Sequence, residues 1–302
     1  MLPLSEIAEL VIDYRGKTPK KLGGDWSVQG YRAISAKNVK TRQIVQSDSI
    51  RYLDESLYRK WMKEEIKRGD ILITSEAPFG QLFYWDSDEK IVLSQRLFAL
   101  RCKKEFYSPY IFHYMTSDAF QSDMECRATG TTVTGLRQPE LLKCRISVPS
   151  FEKQKIIADT LSTIDAKIEN NKRINHHLAE IAKSIFDSYF IDLSPYNGVM
   201  PDDWQLSNLT GIANYLNGLA MQKHRPQSNE QGLPILKIKE LRQGFTDSTS
   251  DLCSSNIRRD YIIHDGDVIF SWSGSLLVDF WTSGDCGLNQ HLFKVSSETY
   301  DK

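Results

Sequence analysis

The chain has 302 residues, 40% of them apolar and 25% charged, with a formal net charge of −1 at pH 7. That balance belongs to a folded globular protein of one or two domains and excludes a disordered chain. No run of about 18 uncharged apolar residues occurs, which excludes a transmembrane helix, and the opening MLPLSEIAEL, with Glu6 and Glu9 and no basic stretch, is not expected to be a secretion signal.

From the N-terminus, Arg15-Gly-Lys17-Thr-Pro-Lys20-Lys21 places four cations and a turn in seven residues. A strand is predicted at 33–36, followed by a second polar and cationic cluster of Lys37, Asn38, Lys40 and Arg42. Helices are predicted at 56–62 and 109–120, and strands at 71–74, 91–93 and 97–100. Residues 128–135 read as a loop rich in Gly and Thr. There Arg127, Thr129, Thr131 and Thr132 combine a guanidinium, hydroxyls and backbone donors suited to phosphate oxygens.

Residues 151–189 contain neither Gly nor Pro. Ile157, Leu161, Ile164, Ile168, Leu178, Ala182, Ile185 and Tyr189 follow steps of four and three, in a frame continued across the gap by Asn171 and Asn175. This is a heptad seam on a helix of about 60 Å. Two asparagines suit the register-fixing positions of a coiled coil better than the interior of a domain. A helix packed lengthwise on its own domain is the alternative, and the coiled-coil spacer is the better supported of the two.

Beyond the helix, strands are predicted at 268–271 and 292–295. Four blocks here repeat the first half in order. Leu4-Ser-Glu-Ile7 matches Leu206-Ser-Asn-Leu209, and residues 30–37 match 232–239 at an offset of 202. Ile66-Lys-Arg-Gly-Asp-Ile-Leu-Ile-Thr74 matches Ile263-His-Asp-Gly-Asp-Val-Ile-Phe-Ser271 at 197, and Ser94-Gln-Arg-Leu-Phe98 matches Asn289-Gln-His-Leu-Phe293 at 195. The reading is an α+β protein made of a duplicated mixed domain, divided as 1–149, a spacer helix 150–195, and 196–302. The second copy is expected to be incomplete, with no counterpart of residues 127–149.

Charge follows the same division: +4 over residues 1–150, −1 over 151–195 and −4 over 196–302. Such values neither require nor exclude a polyanion, because binding depends on local patches. In the second copy Lys223, Arg225, Lys237 and Lys239 occupy places similar to the first copy's cations. Each cluster taken alone reads as a solvated loop; their recurrence favours a shared role in contacting nucleic acid. Gln95 and Gln290, matched before apolar strands, suit either base contact or loop support.

Catalytic patterns fail. Gly16-Lys17-Thr18 lacks the first glycine of a phosphate loop, since Val11 stands there, and Pro19 follows. Asp54 with Glu65-Ile-Lys67 imitates a nuclease triplet but reads more simply as a turn into a strand. His176 and His177 are adjacent on a helix and point apart. The five cysteines (Cys102, Cys126, Cys144, Cys253, Cys286) contain no C-x-x-C and fit reduced thiols, so no metal site and a cytoplasmic location are expected.

The Tyr14–Lys21 opening, the Gly-Asp of residues 66–74, the 130–135 loop and the junction Ile146-Ser-Val-Pro-Ser-Phe-Glu-Lys-Gln-Lys-Ile-Ile157 resemble the specificity subunit of type I restriction–modification systems. The resemblance spans the whole chain and its duplicated layout. It implies two target-recognition domains separated by a long coiled-coil-forming helix, each reading half of a split double-stranded DNA sequence. It also implies no catalysis in this subunit: S-adenosylmethionine-dependent adenine-N6 methylation and ATP- and Mg-dependent cleavage would belong to partner methyltransferase and restriction subunits. An unpaired first helix is expected to seek a second copy. Two other readings remain: a fragment of a self-contained methyltransferase-nuclease whose catalytic part lies outside the chain, and a stand-alone regulatory DNA-binding protein.

Overall fold

Two four-stranded antiparallel sheets, one in each half of the chain, organise the computed structural model, which describes residues 1–130 and 134–301. The chain divides into units Met1–Ile185 and Phe186–Lys302. The first begins with β1 (Leu2–Pro3), α1 (Leu4–Ile7), β2 (Ala8–Asp13) and β3 (Tyr31–Ile34). The hairpin β4 (Val39–Lys40) and β5 (Gln43–Ile44) follows, then β6 (Arg51–Leu53) and α2 (Glu55–Trp61). Next come β7 (Ile71–Thr74), β8 (Leu82–Tyr84), β9 (Val92–Leu93) and β10 (Leu97–Cys102). The remainder is α3 (Ser108–Met115), α4 (Asp118–Arg127), α5 (Gln138–Leu141), β11 (Arg145–Ile146) and α6 (Phe151–Phe186).

The main sheet runs β2-β10-β7-β8, and a smaller one runs β6-β3-β9 with β3 and β9 parallel. Strand alternation sends Leu72, Leu97 and Ala99 into one core with Ile34, Leu53 and Trp61. Ile71, Ile73, Leu82, Phe98 and Leu100 enter a second core under α3 and α4, against Ile111, Met115, Phe120 and Met124. Burial on both faces explains the continuous apolar run at 71–73, which alternation alone does not predict. The single helix expected at 109–120 is two helices. Ser117 is extended (φ −74°, ψ 151°), and its hydroxyl donates back to the Tyr114 carbonyl (2.6 Å) while capping the Phe120 N–H of α4.

Helix α6 is 36 residues long, about 54 Å at 1.5 Å per residue. Its first turns pack on the unit. Gln154 is buried, accepting from the Tyr107 N–H (3.0 Å) and donating to the Pro149 carbonyl (2.9 Å). Ala158 is buried, Tyr107 donates to Asp159 (3.0 Å), and Asp165 pairs with Arg42 (2.7 Å). The seam residues Ile157, Leu161, Ile164, Ile168, Asn171, Asn175, Leu178 and Ile185 are all exposed, as are Ile174 and Ile181, which the heptad reading did not include.

The second unit contains α7 (Leu209–Ile212), β12 (Asn214–Asn217), β13 (Leu233–Leu236), α8 (Ile238–Gln243), β14 (Leu252–Cys253) and β15 (Ile262–Ile263). It continues with β16 (Val268–Ser271), β17 (Leu277–Phe280), β18 (Cys286–Leu288) and β19 (Leu292–Ser296). Its main sheet, β12-β19-β16-β17, repeats the first residue for residue. Phe98 opposite Ile73 becomes Phe293 opposite Phe270, and Ile73 opposite Leu82 becomes Phe270 opposite Val278. The small sheet repeats too, with β13 parallel to β18 and antiparallel to β14. Gly30 and Gly232 open β3 and β13 where a Cβ would stand 2.3 Å from the Leu53 carbonyl oxygen and 3.0 Å from that of Cys253.

The matched Gly-Asp is a structural clasp. Gly69 and Gly266 have φ of +94° and +86°. Their N–H groups donate to the Trp85 and Trp281 carbonyls (2.8 and 2.7 Å), while the Trp N–H groups donate to the Asp70 and Asp267 carbonyls (2.9 Å each). Each Asp carboxylate accepts the N–H three residues earlier (2.8 Å) and pairs with a cation, Arg101 at 2.8 Å or Lys294 at 2.6 Å. Those cations come from different positions of β10 and β19, yet both also donate to matched carbonyls, Glu65 and Ile262. Trp85 and Trp281 form a fifth matched pair that the block comparison missed.

The copies also differ in the cover of the main sheet. The face of Ile71, Ile73, Leu82, Phe98 and Leu100, wholly buried in the first, corresponds to Val268, Phe270, Val278, Phe293 and Val295, none of them buried. Leu4 and Ile7, which bound α1, are at 0% exposure, whereas Leu209 and Ile212, which bound the corresponding helix α7 ahead of β12, are 61% exposed and half-buried, so the structure shifts the 206–209 match of the sequence to 209–212.

Candidate nucleic-acid interface

The end of the parallel pair β3 and β9 opens onto a cleft of about 260 Å³ in the first unit. The Ser94 N–H donates to the Ile34 carbonyl (2.8 Å) and the Ala36 N–H to that of Gln95 (3.1 Å), so the two chain segments leave the sheet side by side. Lys37, Arg51, Gln95 and Arg96 line the cleft with Trp26, Ser35 and Ser94. The Arg51 guanidinium lies 5.3 Å from the Trp26 ring centre, a cation–π contact that holds a cation beside a flat aromatic surface. Arg96 has a φ of +63° and pairs with Glu76 (3.2 Å).

The 129–135 loop is rooted beside this cleft. Thr129 and Gly135 exchange backbone hydrogen bonds (2.9 Å each), Gly135 bridges to Glu76, and the Leu136 N–H donates to the Ser75 carbonyl (2.9 Å). Arg15 lies at the same foot, donating to the Leu136 carbonyl (3.4 Å), with its guanidinium 4.0 Å from the Phe98 ring centre. Thr131 and Thr132 lie outside the described residues.

Other expected contact residues are engaged within the protein. Asn38 is fully buried: its carbonyl oxygen accepts from the Ser35 N–H (3.2 Å) and hydroxyl (2.8 Å), and its amide points at Val45, Gln46 and Ser49. It shapes the turn behind Lys37 and is removed from the surface set. Lys17 donates to the Trp61 carbonyl (2.6 Å) over the Tyr14 ring; burial, with Lys63 nearby, lowers its pKa. Arg42 turns toward α6, donating to Asp165 and Thr116. Lys20, Lys21 and Lys40 are exposed, with Lys21 donating to the Gly16 carbonyl (2.8 Å). Arg127 pairs with Asp123 (2.8 Å) and joins Lys143 and Arg145 around a separate shallow depression.

The second unit has a cleft of about 70 Å³ at the corresponding place, lined by Gln222, Arg225, Lys237, Asp251 and Asn289. Here Ser35 is replaced by Lys237, Ser94 by Asn289 and, because Arg51 opposes Ala33 as Asp251 abuts Ile235, Arg51 by Asp251. Lys237 pairs with Asp251, a hydrogen bond that holds the carboxyl below its ordinary pKa. At that position the same scaffold therefore presents the Arg51 cation in one copy and the neutralised Lys237–Asp251 pair in the other. Lys223 is exposed, and Lys239 donates to Thr249 (3.1 Å).

Arg51, Arg96 and Trp26 escaped the sequence reading. Arg96 stood inside a matched block, but the charge reversal from Arg51 to Asp251 hides that position from a search for similarity. No group of three or more His, Cys, Asp or Glu able to hold a metal occurs among the described residues. Burial pushes the Cys102, Cys144 and Cys286 thiols up to about 12. No helix among the described residues is long and apolar enough to cross a membrane.

Comparison with known proteins gives concordant results. The MjaIX type I restriction enzyme specificity subunit of Methanocaldococcus jannaschii is 25% identical over 224 residues, covering 70% of this chain and 51% of the relative. The EcoKI specificity subunit of Escherichia coli is 26% identical over 209 residues, covering 64% and 43%. The chain thus spans about half the length of these curated relatives. The crystal structure of the type I restriction-modification S subunit from M. genitalium superposes with a TM-score of 0.57 at 16% identity, covering 98% of this chain and 72% of that one, which shows a common fold. The family described as the type I restriction modification DNA specificity domain matches residues 1–180, and the chain belongs to that family.

Proposed function

We propose that the chain is a non-catalytic DNA-recognition subunit of a type I restriction–modification complex, working in the cytoplasm. Its domains, 1–149 and 196–302, each present the β3/β9-type cleft to one half of a split double-stranded target. The observation that carries this reading is the recurrence of one cleft at matched places with different side chains, as expected of two readers of unlike half-sites. In the first domain Lys37, Arg51 and Arg96 supply phosphate or guanine contacts and Gln95 a bidentate amide. The 129–135 loop, Arg15, Lys20 and Lys21 add contacts to the backbone. In the second, Arg225, Lys223 and Lys239 take that part.

The spacer helix, 150–195, fixes the separation of the readers. Methyltransferase subunits carrying S-adenosylmethionine, and a restriction subunit using ATP and Mg, assemble around it. The exposed seam from Ile157 to Ile185 pairs antiparallel with the helix of a second copy, and the two asparagines set the register. Co-expression with a type I methyltransferase subunit in a methylation-free host, followed by mapping of N6-methyladenine, tests the whole reading. A split motif is expected: palindromic if two first domains read it, non-palindromic if both domains of one chain do. Absence of any motif overturns the reading.

A further inference from the structure

Lys237 follows β13 and Asp251 precedes β14, and the pairing of those strands sets the two side by side in the second cleft. The Ile235 N–H donates to the Asp251 carbonyl (2.8 Å), which fixes their register. Ammonium and carboxylate are joined by one hydrogen bond, yet the side chains stay 41% and 54% exposed. An ion pair so open to water adds little to stability, so the fold does not require it. It does not suit a phosphate either, because the carboxylate would repel one. The first cleft, with Lys37, Arg51 and Arg96, has no such anion among its lining residues. Asp251 stays ionised, since the Lys237 hydrogen bond, with Arg225 and Lys239 nearby, lowers its pKa. The pair thus presents water with a donor and an acceptor one hydrogen bond apart.

That spacing has a match on the edge of a base pair. In the major groove guanine O6 accepts and cytosine N4 donates, and these two atoms are themselves hydrogen-bonded at about 2.9 Å. We propose that Lys237 and Asp251 together read one G·C pair of the second half-site. Lys237 donates to guanine O6, and Asp251 accepts the outward hydrogen of cytosine N4. The inference rests on the recognition role proposed above. Neighbouring atoms fix the orientation. Guanine N7, a further acceptor, falls on the Lys237 side, whereas a reversed C·G pair sets acceptors against Asp251 and a donor against Lys237. A T·A pair keeps the order of acceptor and donor, but it puts adenine N7 beside the carboxylate and the thymine methyl beside the ammonium.

The test maps N6-methyladenine for the full chain co-expressed with a type I methyltransferase subunit, comparing wild type with two variants whose folding is checked by denaturant unfolding. Wild type should give a non-palindromic split motif with an invariant G·C pair in one half-site. Asp251→Ala should reduce discrimination at that one position roughly tenfold and leave every other position as it was. The exchanged pair, Lys237→Asp with Asp251→Lys, should turn that G·C into C·G. A motif unchanged by either variant, or relaxation spread over the whole half-site, overturns the proposal and leaves the recognition reading standing. So does a palindromic wild-type motif, or loss of all methylation in both variants while they unfold as wild type does. No motif in wild type overturns the recognition reading and this inference together.

Discussion

Lys37 and Asn38 are neighbours with opposite fates, and the difference defines what substitutions should do. Lys37 faces the cleft, whereas Asn38 ties the turn together from inside. Lys37→Ala, Arg51→Ala or Arg96→Ala should weaken DNA binding with little loss of stability. Each phosphate contact removed should reduce the slope of log K against log salt by about one, as titration at several salt concentrations would record. Asn38→Ala should instead cost about 1–3 kcal/mol, read by denaturant unfolding, because its partners remain buried and unmatched. The pattern of cations in the sequence could not separate these roles, since surface and buried polar residues alternate within a few positions. Arg51 was illegible for another reason: it joins Lys37 only through pairing of β6 with β3. His113 adds a pH effect. It packs against α6, hydrogen-bonded to Ser162 (3.0 Å) with Asp165 at 3.8 Å. Burial lowers its pKa from the ordinary 6.5, outweighing the opposing pull of Asp165, while Arg42 lowers it further. The folded state thus disfavours protonation, and this contribution to stability is present above about pH 6.5 and lost as pH falls below it. His113→Gln should flatten that part of the stability–pH curve.

At the scale of elements, the spacer helix and the clasp carry the clearest expectations. Leu161→Asp or Ile164→Asp places a charge on the exposed seam without touching the buried stripe of Gln154 and Ala158. Either should abolish self-association in sedimentation while leaving the monomer's helix content unchanged. Asp70→Ala acts on the clasp. It leaves the Arg101 guanidinium, 15% exposed, without its carboxylate, and breaking a buried pair from one side costs about 3–5 kcal/mol by equilibrium unfolding. These elements were also the most legible. The helix declared itself through a long period of seven, and the clasp through a glycine whose positive φ few residues replace. The break at Ser117 was not legible, because neither Gly nor Pro marks it and only the extended backbone at Ser117 and its cap interrupt the helix.

For the whole molecule, the duplicated sheets imply unequal stability. The first unit buries apolar side chains on both faces of its main sheet, the second mainly on one. Hydrogen exchange in rising denaturant should release residues 209–296 before the strands of the first unit. The duplication has a further consequence. Matched positions drift from an offset of 204 in β12 to 202 in β13, 197 in β16, 196 at the tryptophan and 195 in β19. Strand register nevertheless does not change, so every gained or lost residue has been absorbed between strands. The sheet and its tryptophan clasp thus serve as a socket, and the segments between strands as cartridges of adjustable length. A lineage carrying such a socket can exchange the segments that line the cleft, between copies or between genes, without re-solving the folding problem each time. New recognition preferences then become reachable by recombination at strand ends rather than by slow accumulation of point changes.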